Sequence, residues 1–478
     1  MDNETFRRHA HAMVDWMADY LEGVERYPVR AQVKPGEVRD QLPAHPPLAG
    51  EAMETIFADF ERIVVPGMTH WQHPSFFAYF PANSSPPSVL AEMLTATLAA
   101  QCMLWQTSPA ASEMEERVLD WLRRMLGLPE GFSGVIQDTA TSATLTALLT
   151  ARERATGWQA NEAGLAALGP QGSGLTVYCS EESHSSIEKG VKVAGLGRDN
   201  LRKVETDGEF AMRPEALVEA IAADRQSGRT PICVVASLGG TGTGAIDPLR
   251  ALGEICRREG IWLHVDAAWA GSALILPETR AMLEGIEYAD SFVFNPHKWL
   301  FTNFDCSAYF VRDPEALERT LALVPEYLKS PQGRAVTDYQ NWCIPLGRRF
   351  RALKLWFVIR SYGVEGLQAM IRAHIDWAKE LFEQVEEAAD FEIMSPLRLS
   401  LFSFRFHPSG ADDETELEAL NGRLLEALND SGKIYLTQNR VRGRYAIRFV
   451  VGQTSTERRH VQAAWRLIQE TARDLASG

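Results

Sequence analysis

Between about residues 174 and 312, short apolar runs alternate with amphipathic stretches, and this rhythm constrains the fold more than any other feature of the chain. The apolar runs lie at 174–179, 231–237, 261–266, 291–295 and 306–311. Short runs of this kind read as buried strands. The stretches between them, such as 213–224, 247–259 and 278–286, have helical character. Strand and helix in alternation predict an α/β fold with a mainly parallel sheet and helices on both faces. In such sheets ligands bind beyond the carboxyl ends of the strands. His184, Thr241, Asp266 and Lys298 each follow a strand-like run by a few residues, so the topology predicts that they converge on one edge.

Two of these runs end in chemistry. Phe292-Val-Phe is followed at once by Asn295, Pro296, His297 and Lys298, and apolar residues resume at Trp299. Pro296 cannot donate to a ladder, so the strand should end near it. Lys298 then sits at a strand end, among aromatics and beside a histidine. A lone lysine there usually lays its stem on apolar neighbours and keeps its charge in water. The alternative is an amine with a depressed pKa that can form a Schiff base. The run from Ile261 to Val265 decides between them, because it ends in Asp266 followed by Ala267 and Ala268. A carboxylate at a buried strand end, beside small residues, suits something flat lying close to the backbone. Pyridoxal phosphate is flat, is held as a lysine Schiff base, and takes an acidic partner for its pyridinium nitrogen. Asp266 and Lys298 lie 32 residues apart, each at the end of a predicted strand, and together they point to that cofactor.

Weaker signals surround this pair. Thr139, Ala140, Thr141 and Ser142 open a helix. Hydroxyls there are ordinary caps, but the free N–H groups of a helix start also bind anions such as phosphate. The run Gly239–Gly244 lacks nucleotide-loop spacing and reads as backbone passing close to a ligand. Residues 70–90 crowd His70, Trp71, His73, Phe76, Phe77, Tyr79 and Phe80 among prolines. Two readings are open for them: packing at a subunit interface, or the wall of a pocket for a flat apolar group.

The 478 residues exceed one small core, so two domains, or one large and one small, are expected. With 63 acidic against 48 basic residues the formal charge is −15, which disfavours a nucleic-acid or anionic-membrane partner. The six cysteines are scattered without metal or disulfide spacing, which fits a reducing, cytoplasmic setting with no metal. Asp2 and Glu4 precede no apolar core segment, so no secretory leader is expected. No apolar run is long enough to span a bilayer. Residues 4–25 read as an amphipathic helix, 28–47 as a proline-rich arm, and 50–64 as a second helix. Helices are expected at 88–103 and 112–126, a loop around Tyr327, and a long helix from Arg348 toward Tyr362. After about 370 the pattern turns α+β. Phe402, Phe404 and Phe406 alternate, as do Tyr445, Ile447 and Phe449, between helices at 413–429 and 455–475.

With these residues in hand, the chain resembles the group II pyridoxal-phosphate decarboxylases, and within them the aromatic-L-amino-acid decarboxylases. The stretches that carry the resemblance include Thr69-His-Trp, Phe76-Phe-Ala-Tyr-Phe-Pro81, Ser108-Pro-Ala-Ala, Gly134-Val-Ile-Gln and His184-Ser-Ser. Leu263-His-Val-Asp-Ala-Ala268, Asn295-Pro-His-Lys-Trp299, Asn303-Phe-Asp-Cys-Ser307 and Pro345-Leu-Gly-Arg-Arg-Phe-Arg351 continue it in family order. The resemblance implies PLP fold type I: an N-terminal helical arm over 1–85 packing on a partner subunit, a large PLP-binding α/β domain over 86–350 with a seven-stranded type of sheet, and a small C-terminal α+β domain over 351–478. It implies a homodimer with shared active sites and an amino acid as the small-molecule substrate.

It also implies roles. Lys298 would carry the cofactor covalently, Asp266 would pair with the pyridinium nitrogen, and His184 and Ala268 would flank the ring. Ala140, Thr141 and Asn295 would hold the phosphate, with Thr241 and His297 close by. Trp71, Tyr79 and Phe80 would form the aromatic pocket, and Tyr327 would protonate the product carbanion. Two departures bear on substrate choice. Ala82 stands where animal members have threonine near the substrate carboxylate, and Gln101–Thr107 differs from the usual pocket wall. Gly347 occupies a place where members preferring indoles tend to have glycine. The expected reaction is decarboxylation of an aromatic L-amino acid to its amine. The alternatives are an oxidative aldehyde synthase on the same fold and a decarboxylase of a non-aromatic amino acid.

Overall fold

The computed structural model describes residues 1–323 and 335–477. The chain divides into two compact units, one of residues 83–373 and one that joins 1–82 to 374–478.

The 83–373 unit is built on a seven-stranded sheet of order β1-β7-β6-β5-β4-β2-β3. Its strands are β1 (Ser133–Gln137), β2 (Leu175–Ser180), β3 (Leu201–Val204), β4 (Thr230–Ser237), β5 (Trp262–Asp266), β6 (Ser291–Phe294) and β7 (Ser307–Val311). From β3 to β6 every neighbouring pair is parallel. Only β7 runs against its neighbours β6 and β1. The carboxyl ends of β1, β2, β4, β5 and β6 therefore share one edge with the start of β7. Register aligns them there: Asp266 lies opposite Ser237 and Val293, and Gln137 lies opposite Ser307.

The central strands are covered on both faces, so they are apolar throughout rather than alternating. All five residues of β5 are buried. That burial takes in His264, whose Nδ1 lies 2.9 Å from Ser291 Oγ and whose Nε2 lies 3.3 Å from Thr144 Oγ1. Burial pushes its pKa down to about 4, so the ring is neutral and hydrogen-bonded. The helix Ala140–Ala155 lays Ala143, Ala147, Leu148 and Ala151 against Val135, Val177, Val235 and Val293. Alanines on that face let the helix axis approach the sheet closely. A second support is the ion pair Arg348–Glu115 at 2.6 Å, with both side chains 2% exposed. Arg348 also donates to the carbonyls of Cys102 and Ile136, and Glu115 accepts from the Ile136 amide. This pair binds the helix Pro109–Leu126 and β1 to the 348 segment.

Local chemistry reshapes some expected elements. The helix foreseen over 278–286 is a pair of 3₁₀ segments, Pro277–Leu283 and Ile286–Tyr288. Gly285, at φ +98°, turns the chain between them where a Cβ would sit 2.3 Å from the Arg250 backbone. The helix expected over 88–103 runs Pro86–Leu98 and stops where Ala99 turns left-handed. The helix from Arg351 continues to Glu387, with Gly363 at φ +65° interrupting it.

The second unit holds a four-stranded antiparallel sheet of order β10-β11-β9-β8. Here β8 is Phe391–Arg398, β9 Leu401–Phe406, β10 Thr437–Val441 and β11 Arg444–Val450. Phe402, Phe404, Phe406 and Phe449 pack with Trp465 in one core beneath the helices Glu414–Asp430 and Arg458–Ser477. The N-terminal helix Asn3–Glu22, capped by Asp2, has no buried residue. Its Trp16 stacks on Tyr20 and meets Phe57 and Phe60 edge-on.

Candidate active site

The shared edge of the seven-stranded sheet carries the polar groups singled out from sequence. Asp266 ends β5, is 9% exposed, and its Oδ1 accepts from the Ala268 amide at 3.0 Å. The Ala268 carbonyl accepts from the Asn295 amide at 2.9 Å, which ties the ends of β5 and β6 together. Past β6 the chain makes one helical turn, Pro296–Trp299, that carries His297 and Lys298. Pro296 begins that turn, where a missing N–H costs nothing. The turn is held from Asn83, whose amide donates to the His297 carbonyl at 3.1 Å and whose Nδ2 donates to the Lys298 carbonyl at 2.6 Å. Lys298 is half-buried at the edge, and Trp299 behind it stacks on Trp269 at 5.2 Å.

His184 follows β2 and is exposed at the same edge. The protein packed around its ring lowers its pKa, and Lys298 lowers it further, while Asp266 pulls the other way. Both charges thus act on His184. The Ser186 amide donates to His184 Nδ1 at 3.1 Å. A ring nitrogen that accepts an N–H carries no proton, so neutral His184 presents Nε2–H. His297 has the same tautomer, because the Cys306 amide donates to its Nδ1 at 2.9 Å. Burial, aided by Lys298, drives its pKa to about 3 and keeps it neutral.

The next part of the edge suits an anion. Thr139 caps the helix Ala140–Ala155, its Oγ1 accepting from the Ser142 amide at 3.4 Å. Ala140 and Thr141 lie in the first turn, where amides have no intrahelical acceptor and the helix dipole is positive. Ser307 Oγ donates to Asn295 Oδ1 at 2.7 Å and fixes that amide beside them. Thr241 lies in the loop after β4. There the amides of Gly239 and Gly240 both donate to the Ala245 carbonyl, and Gly239 and Gly244 adopt φ of +83° and +72°. Gly239 and Gly244 are therefore required by the turn itself. Its neighbour Thr243 donates to Glu182 at 3.3 Å, joining the loops after β4 and β2.

A buried carboxylate, a lysine, a neutral histidine and a helix start on one edge fit a flat ring with a cationic nitrogen and an anionic phosphate. Among the described residues no cluster of His, Cys, Asp and Glu could hold a metal ion. Trp71, Tyr79, Phe80 and Ala82 belong to the other unit. There Trp71 stacks on Tyr79 at 5.8 Å, and Tyr79 meets Tyr435 edge-on at 5.9 Å. Tyr79 adopts φ +48°. Arg448, fully enclosed, donates to the Tyr79 carbonyl and lies over the Phe80 ring at 4.3 Å. Sequence reading missed Arg448 and Asn83 as holders of these segments; each acts across a long separation that no local pattern marks. Tyr327 lies outside the described residues.

Comparison with known proteins gives the family. The pyridoxal-dependent decarboxylase conserved domain matches residues 35–407. Aromatic-L-amino-acid decarboxylase of Sus scrofa is 45% identical over 486 residues, covering 99% of this chain and 98% of that protein. Phenylacetaldehyde synthase of Arabidopsis thaliana is 44% identical over 485 residues, covering 99% of this chain and 96% of that protein. The crystal structure of Oryza sativa TDC with PLP and tryptamine superposes with a TM-score of 0.95 at 38% identity, covering 99% of each chain. The chain belongs to the pyridoxal-dependent decarboxylase family and is a carbon–carbon lyase that uses pyridoxal phosphate.

Proposed function

We propose that this enzyme removes the carboxylate of an aromatic L-amino acid, releasing the amine and CO₂. The observation that carries the choice of substrate is the exposed stacked pair Trp71 and Tyr79, 36% and 50% exposed. Large aromatic surface held at the protein surface suits an aromatic ring as its occupant. The relatives named as aromatic decarboxylases support the same reading.

When bound, pyridoxal phosphate supplies the electron sink for the pair left by the departing carboxylate. In this reading Lys298 tethers the cofactor, and Asp266 holds a proton at the ring nitrogen. His184 and Ala268 would bracket the ring, and His184 would offer its Nε2–H as a donor. Ala140, Thr141 and Asn295 hold the phosphate, with Thr241 and His297 near it. Much of the rate then comes from fixed orientation and charge stabilisation. Tyr327 is the proposed acid that returns a proton to the α-carbon. Amine release should be measured from tryptophan, tyrosine, DOPA, phenylalanine and glutamate. An aromatic substrate is expected to lead the panel; preference for glutamate would overturn the reading.

The likeness to a phenylacetaldehyde synthase keeps one second reading open. Such an enzyme would consume dioxygen and water and release aldehyde, CO₂, ammonia and hydrogen peroxide. Tyr327 favours the simple decarboxylase, and assay of peroxide and ammonia beside amine separates the two.

The reading extends to a cytoplasmic homodimer with shared active sites, its N-terminal arm packed on the partner subunit. Two faces support a second copy as partner. The amphipathic helix Asn3–Glu22 buries nothing of itself. Leu90, Leu94 and Leu98 recur every four residues and are 53%, 47% and 62% exposed. Sedimentation of the holoenzyme should give twice the chain mass.

A further inference from the structure

Away from that edge, the unit of residues 1–82 and 374–478 contains a cavity of about 590 Å³ whose lining is unusual for this chain. Four cations stand around it: Arg26, Lys433, Arg459 and Arg466. Glu25 is the lone carboxylate among the lining residues, and it is already committed. Both its oxygens accept from Arg459, at 2.6 and 3.2 Å, and His460 Nε2 lies 3.2 Å away. The side chains of Arg26, Lys433 and Arg466 have no hydrogen-bond or ion-pair partner among the described residues, and Lys433 is held only through its backbone amide, which donates to Ser431 Oγ at 3.1 Å.

The floor is built rather than accidental. His73 and His460 are 6% and 5% exposed. The Ser75 amide donates to His73 Nδ1 at 3.0 Å, and the Glu457 amide donates to His460 Nδ1 at 2.9 Å. Both rings are thus fixed in one tautomer with Nε2–H as donor. Burial lowers the pKa of each, to about 4 for His73, so at neutral pH they are neutral donors.

Arg459 is taken up by Glu25 and, at 2.8 Å, by Glu457, so the positive excess of the cavity comes from Arg26, Lys433 and Arg466, on a chain of formal charge −15. Like charges gathered in a concavity repel one another and raise the local potential for a counter-ion. The volume lies in the range of small-molecule sites. Arginine forks and a lysine point charge are the groups that grip phosphate oxygens. We propose that this cavity binds a small multivalent oxyanion of the phosphate-ester class, at a site separate from the one that holds the cofactor's phosphate. Bound there, it would bridge three segments: residues 25–28, the turn 431–433, and the helix Arg458–Ser477.

The test uses full-length holoenzyme, so that the cofactor's own phosphate site is filled, with inorganic pyrophosphate as the probe in phosphate-free buffer. Calorimetry is expected to show one saturable site per chain that weakens as salt rises. The pair Lys433→Gln and Arg466→Gln, both exposed positions, should loosen it by about tenfold or more, the loss of charge-assisted hydrogen bonds. Decarboxylation without added anion should not change. A second arm needs no variant: pyrophosphate should slow hydrogen exchange at 25–28 and 431–433 in the unaltered protein. No saturation up to about 10 mM, unchanged affinity in the double variant, or unaltered exchange at those segments would each overturn the proposal.

Discussion

The two sheets use their strands in opposite ways. In the seven-stranded sheet, parallel strands deliver their carboxyl ends to one edge, and Asp266, Asn295, His297 and Lys298 all lie there. In the four-stranded sheet, antiparallel neighbours send successive ends to opposite sides. No such convergence can arise from them. Its central strand β9 is buried along its whole length and supplies three phenylalanines to the core. Its charged residue Arg405 is neutralised by Glu392 and Glu414. One sheet is thus a device for gathering chemistry and the other a packed support. Substitutions should divide on the same line, between turnover and stability.

The largest effect expected is at the gathering edge. Lys298→Arg should abolish multiple-turnover amine release while leaving the thermal midpoint of the apoprotein close to that of the unaltered chain. Asp266→Asn should lower kcat by about 10²–10³, the scale for losing one preorganised electrostatic partner, again with the fold intact. Steady-state kinetics beside circular dichroism checks both. Should either variant unfold the protein, the edge would also be structural and the contrast would weaken.

The support sheet should respond the other way. Phe404 is fully buried, and Phe404→Ala should cost about 3–5 kcal/mol of stability from lost burial and the cavity left behind. Its kcat per folded molecule should stay unchanged, which denaturant unfolding with activity on the folded fraction would show. Glu115→Gln sharpens the comparison from within the large unit. It leaves buried Arg348 without its counter-charge, for a loss of about 3 kcal/mol or more.

A pH effect is common to both units. Burial lowers His264 and His73 from 6.5 to about 4, and His297 and His374 to about 3. Each is neutral when folded but takes a proton when unfolded, so the unfolded state binds more protons below pH 6.5. Stability should therefore fall as pH drops from about 6.5 to about 4, by about 3 kcal/mol for a histidine shifted that far. Buried Asp247, raised to about 6, works in the opposite direction over the lower part of that window. Four histidines outweigh it. Thermal midpoints between pH 7.5 and 4.5 would check the sign.

How much of this was legible depended on whether the cause was local. The apolar runs at 174–179, 231–237, 261–266, 291–295 and 306–311 became β2, β4, β5, β6 and β7 within a residue or so, because buried parallel strands are continuous apolar runs. β1 escaped notice, since Ser133, Gly134 and Gln137 hide Val135 and Ile136; Gly134 is there because a Cβ would meet Phe310 at 2.9 Å. β3 escaped notice as an edge strand with Arg202 and Lys203 in its four residues. At the site, Asp266 and Lys298 stood out by their places at strand ends. Arg348 with Glu115 could not be paired from sequence across 233 residues, nor Asn83 with the turn it holds 215 residues away.

The edge of the seven-stranded sheet is proposed to carry the cofactor on one particular amine, that of Lys298. Reduction of the holoenzyme with borohydride, followed by peptide mapping, tests it most directly. Bleaching of the visible absorbance with a single reduced adduct on Lys298 is the predicted result. An adduct on another lysine, or an absorbance that borohydride leaves untouched, would contradict it.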